Sequence, residues 1–167
     1  MRPQDIVVLL KIISKENNDW TNADLAYALK ISQSEISEAL NRNAFAGLID
    51  KNKRKVFMKS FAEFIIYGLK YVFPVRPAEI VRGIPTAHSA SPMNEFISSS
   101  KDIYVWPYEK GNARGQKIEP LYKTIPHIID EDFAFYELLT IIDTIRVGKA
   151  RETDIALSEL KKRLHYA

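Results

Sequence analysis

Ile6, Leu9, Leu10 and Ile13 recur three and four residues apart. That spacing lays one apolar stripe along a helix, and Pro3, which has no amide hydrogen to leave unpaired, suits its first turn. The pattern predicts a first helix over 3–16, stopped by Asn17 and Asn18. Thr21 or Asn22 caps a short second helix over 23–29, with Leu25, Ala26 and Leu29 inward. Ser32 and Glu35 have the spacing of a capping box, in which the serine oxygen accepts the third amide and the glutamate returns to the cap amide. The third helix that begins there turns Ile36, Ala39, Leu40 and Phe45 inward, and Gly47 supplies its left-handed end.

Beyond it, Leu48-Ile49 and Val56-Phe57-Met58 flank the polar run 50–55, which reads as two short strands joined by a basic turn. Ser60 and Glu63 repeat the capping-box spacing. The helix they open, running to about Tyr71, is apolar almost all round, so it belongs inside the fold or at a subunit contact. Pro74 and Pro77 end it. Over 74–126 the periodicity dissolves into Pro, Gly and Ser clusters, with short strands expected at 103–106 and 116–118 around the 111–115 turn. Helical spacing returns over 130–147, which stops at Gly148, and over 151–164; together these predict a helical hairpin. The expected fold class is therefore mainly α with a small amount of β. One unit is expected over 1–73, and a second, loop-rich region with the C-terminal hairpin over 74–167, serving dimer or partner contacts.

Composition narrows the classes of function. An apolar share of 46% is enough for a packed interior and argues against pervasive disorder. The absence of cysteine excludes a disulfide framework and thiolate metal sites. No apolar run approaches the roughly 20 residues of a membrane span, and Pro3 and Asp5 stand where a signal peptide carries its basic leader, so a cytoplasmic protein is expected. The net charge of +3 is small. Its distribution matters more: ten cations against seven anions over 1–60, and six against eight over 129–167.

If the third helix buries Ile36 and Leu40, then Gln33, Ser34, Ser37, Glu38 and Asn41 share its outer side, with Ser32 at its start. Gln33 and Asn41 have the paired donor and acceptor that match adenine, Ser34 and Ser37 suit a base edge or a phosphate, and Glu38 can accept from a cytosine amino group. Arg42, Lys51, Lys53, Arg54 and Lys55 are the cations expected to neutralise phosphates or enter the minor groove. The run from Thr21 to Arg42, with Ala46-Gly47-Leu48-Ile49 after it, resembles the helix-turn-helix and strand entry of bacterial winged-helix regulators, the MarR-like group included. That resemblance implies a winged helix-turn-helix over 1–73 whose third helix enters the major groove.

The later segments Arg82-Gly83-Ile84-Pro85-Thr86-Ala87-His88-Ser89, Val105-Trp106-Pro107 and Arg146-Val147-Gly148-Lys149-Ala150-Arg151 resemble a poorly characterised bacterial winged-helix family with antitoxin-like members. The resemblance implies a partner protein encoded nearby. The expectation is a homodimeric, sequence-specific double-stranded DNA-binding transcription repressor. The alternative is an antitoxin-like module that binds a neighbouring toxin or enzyme. No catalytic residue, metal ligand or cofactor is expected: His88, His127 and His165 are far apart in sequence, and His88-Ser89 lacks the Gly-x-Ser-x-Gly turn of a nucleophile elbow. The 110–117 segment is read as a solvated hairpin rather than a phosphate cradle.

Overall fold

The computed structural model describes residues 1–98 and 102–165. Helix α1 (Pro3–Ser14) lies at the centre, and every residue from Gln4 to Ile12 is buried. A helix covered on all sides needs partners for its polar groups. Lys11 has them: its ammonium lies 2.6 Å from Asp132 Oδ2 and 5.0 Å from the centre of the Phe135 ring.

Helix α2 (Asn22–Leu29) starts on a complete capping box. Thr21 Oγ1 accepts the Asp24 amide at 3.1 Å, and Asp24 Oδ2 accepts the Thr21 amide at 2.8 Å. These bonds, the backbone one foremost, hold the Asp24 carboxyl below its ordinary pKa. At the other end Lys30 adopts the left-handed conformation, and the Ile31 amide reaches back to the Ala26 carbonyl at 3.1 Å. That is the closure by which a helix turns sharply and stops.

Helix α3 (Gln33–Phe45) follows after only three residues. Ile36, Ala39, Leu40 and Asn43 form its buried face. Burying Ile36 and Leu40 contributes about 1.5–3 kcal/mol each. Phe45 is not inward as its apolarity suggests but 98% exposed. Nine residues separate it from Ile36, about two and a half turns, which places it on the opposite side of the helix.

Gly47, at φ 75°, releases the chain into a single antiparallel bridge, Ile49 with Val56, in place of the two expected strands. Helix α4 (Met58–Tyr67) then begins three residues earlier than the Ser60 capping box implies. The Phe57 amide closes the bridge on the Leu48 carbonyl, and the Phe57 carbonyl already accepts the Phe61 amide, so Ser60 lies inside the helix. After Gly68 the short α5 (Leu69–Val72) follows. Phe61, Ala62, Ile65 and Leu69 are buried, whereas Tyr67, Tyr71 and Val72 remain exposed.

The middle of the chain holds more order than its composition suggests. Strand β1 (Ile80–Pro85) pairs antiparallel with both β2 (Tyr104–Pro107) and β3 (Ala113–Lys117), and β2 pairs with β3 in parallel, closing a three-stranded unit. The expected hairpin about 111–115 is thus absent as a hairpin. Instead the turn crosses Gly83, where β1 passes from one partner to the other. A Cβ on Gly111 would lie 2.1 Å from the Gly83 carbonyl oxygen, and one on Gly83 would lie 1.9 Å from that of Trp106, so backbone proximity requires both glycines.

Helix α6 (Phe133–Val147) is capped by Asp132, whose Oδ1 accepts the Phe135 amide at 3.0 Å. Helix α7 (Ala150–Arg163) packs back on α6. Asp143 of α6 anchors the strands. It accepts Thr86 Oγ1 at 2.8 Å, Trp106 Nε1 at 2.6 Å and an Arg146 guanidinium nitrogen at 2.9 Å. Buried apolar side chains from α1 through α7 belong to one contiguous cluster that runs across residue 73. Among the described residues the protein is mainly α, with seven helices and one small sheet.

Candidate nucleic-acid interface

The outer side of α3 is open. Ser32, Gln33, Ser34, Glu38 and Asn41 are exposed and Ser37 is half-buried, while Ile36 and Leu40 beneath them are fully covered. Ser32 Oγ accepts the Glu35 amide at 3.2 Å, which fixes the helix start. The second half of that capping box does not form: the Glu35 carboxylate turns to Gln4 Nε2 and lies 3.9 Å from Arg2. A carboxylate that would oppose phosphates is thereby drawn toward α1. Glu38 stays on the outer face, 3.7 Å from Arg42.

Arg42 is committed inward. Its Nε and Nη2 bond both oxygens of the fully buried Asp5 at 2.8–3.1 Å, and Asn43 Nδ2 donates to the Asp5 carbonyl at 3.0 Å. The Asp5 bonds push the Arg42 guanidinium above its ordinary pKa. Planar, paired hydrogen bonds of this kind fix orientation as well as distance. Gln4, Asp5 and their partners therefore set how α3 stands on α1.

The turn after α3 is built on Asp50. Its Oδ1 accepts the Arg54 amide at 2.7 Å and the Lys55 amide at 2.8 Å, and its carbonyl accepts the Lys53 amide at 2.9 Å. These amides, Lys55 first, hold the Asp50 carboxyl below its ordinary pKa. Lys53 turns the corner at φ 58°. Lys51 and Lys55 are exposed and Lys53 is half-buried; among the described residues none of the three makes an ion pair.

Arg54 differs from them. Its guanidinium stacks 4.0 Å over the buried Trp20 ring, donates to the Trp20 carbonyl at 2.7 Å and also bonds the Asn18 carbonyl. Of the five cations expected to meet phosphates, the structure leaves Lys51, Lys53 and Lys55 available and uses Arg42 and Arg54 to hold the site together.

Sequence reasoning passes over Gln4, Asp5 and Asp50. Only Asp50 leaves a local signal, an aspartate opening a tight polar turn, where its side chain bonds nearby amides. Elsewhere, His88 Nε2 lies 2.6 Å from the Asp102 carbonyl, and Ser89 Oγ accepts the Tyr104 amide at 2.9 Å, so this pair holds a loop. Compared with protein-family models, curated proteins and solved structures, the chain matches none.

Proposed function

We propose that this protein is a winged helix-turn-helix regulator that binds duplex DNA through α3, as a homodimeric repressor. The observation that carries the reading is the outer side of α3, where amide and hydroxyl side chains stand over a fully buried apolar row beside a turn with three available lysines. A helix of this kind fits the major groove, and cations beside it lie where the phosphate backbone passes. The exposed Tyr67, Tyr71 and Val72 offer an apolar patch for a second copy, which would place two α3 helices on successive half-sites.

Binding is tested by fluorescence anisotropy on duplexes selected from genomic fragments, over a series of salt concentrations. Affinity should fall steeply with salt. The Lys51→Ala, Lys53→Ala, Lys55→Ala variant should weaken binding on all sequences alike and reduce the salt slope by about one for each phosphate it no longer neutralises. Asn41→Ala should instead cost about 1–3 kcal/mol on the selected site and relax the preference at one base pair. Binding that ignores both salt and the triple replacement would refute the assignment.

A further inference from the structure

A cleft of about 700 Å³ opens where the end of β1, the 108–112 turn and the entry to α6 meet. It uses no residue of α3. Its lining is mixed: Ile84, Ile129, Tyr108 and Tyr136 share it with Ser91, Asn94 and Asn112, and Phe133 is 62% exposed. The aromatic walls are held from behind. Tyr108 meets His127 edge-on at 5.0 Å, Tyr136 leans on Trp106 at 5.6 Å, and the Tyr136 hydroxyl donates to the Pro85 carbonyl. Burial first, and the Asp130 charge second, push the Tyr136 hydroxyl up to about 12, so it keeps its proton and this bond throughout the neutral range.

Two opposite charges line the same cleft, Lys110 and Asp130. Among the described residues no ion pair joins them to each other or to a third group. Lys110 stands on a fixed turn: the Gly111 amide donates to the Tyr108 carbonyl at 3.0 Å, and Arg82 Nε donates to the Gly111 carbonyl at 2.8 Å. A cation and an anion that line one cleft beside Phe133, Tyr108 and Tyr136 are complementary to a molecule carrying both charges and a ring. We propose that this cleft binds a zwitterion with an aromatic side chain, the chemistry of an aromatic α-amino acid, with its carboxylate at Lys110, its ammonium at Asp130 and its ring against Phe133 and the tyrosines. A cleft of this size admits such a molecule, its polar side chains fixing orientation while the aromatic side chains meet the ring.

The test is calorimetric titration of the full chain with three probes: L-phenylalanine, phenethylamine, which lacks the carboxylate, and 3-phenylpropionate, which lacks the ammonium. L-Phenylalanine should bind, and each truncated probe should bind more weakly, by up to about fivefold. Lys110→Ala should weaken L-phenylalanine and 3-phenylpropionate and leave phenethylamine unchanged; Asp130→Asn should weaken L-phenylalanine and phenethylamine and leave 3-phenylpropionate unchanged. Both side chains are exposed, so both variants should fold, and circular dichroism checks this. No saturable binding of L-phenylalanine at millimolar concentration, equal affinity for the three probes, or variants that affect all probes alike would overturn the proposal.

Discussion

Replacing Arg42 by methionine isolates the link that fixes α3 on α1. Methionine keeps most of the stem but removes the charge and all three bonds to Asp5. Asp5 is fully buried, and of its donors only the Arg2 amide at 2.8 Å would remain. A buried charge that loses its partner costs about 3–5 kcal/mol. The converse change, Asp5→Asn, should cost less, about 2 kcal/mol. The Arg42 side chain is a quarter exposed and lies 3.7 Å from Glu38, so water and a second carboxylate can receive it. Urea unfolding followed by ellipticity, with wild type, Arg42→Met and Asp5→Asn measured side by side, gives both differences. Methionine at 42 within about 1 kcal/mol of wild type, or asparagine at 5 costing more than methionine at 42, would refute the reasoning.

Burial raises the Asp132 carboxyl, but the Lys11 ammonium, the Phe135 amide and Ser14 outweigh it and hold its pKa below the ordinary value. Its contribution is thus present above the unfolded value near 4 and is lost as pH falls through the folded one, so stability should decline below about pH 4 and Asp132→Asn should flatten that decline in acid titrations of unfolding. Asp143→Ala leaves Arg146, Trp106 and Thr86 without their shared acceptor, and thermal unfolding should show a loss of about 3 kcal/mol or more; a loss under 1 kcal/mol would remove Asp143 as the anchor of the strands. Arg54→Ala should lower stability by about 1–2 kcal/mol by removing the Trp20 stacking and carbonyl bonds, while leaving the salt slope of DNA binding unchanged; a slope reduced by about one would place Arg54 on a phosphate instead.

Periodicity and caps made the helices legible. Ile36, Ala39 and Leu40 repeat at helical spacing, Thr21 and Ser32 cap where a hydroxyl finds a free amide, and Gly47 takes the positive φ that other residues avoid. These are interactions within a few residues, so the chain carries them in its local order. The same arithmetic, applied strictly, also puts Phe45 outside; its apolarity misled because exposure follows geometry rather than residue type. Strand β1 was not legible, because its neighbours in sequence do not pair with it. It is ordered by β2 and β3, about twenty and thirty residues away, and by glycines whose need arises only where backbones cross.

The sequence by itself thus determined where the helices run, the start of α4 and its division from α5 excepted, and which side of α3 stays polar, since both depend on spacing along one segment. Only the tertiary structure decided which cations face solvent. Arg42 and Arg54 read like Lys51, Lys53 and Lys55 along the chain, yet Asp5, 37 residues from Arg42, and Trp20, 34 residues from Arg54, draw those two guanidiniums inward. A charged side chain goes where its partner is, and the partner's position is set by packing, not by neighbours in sequence.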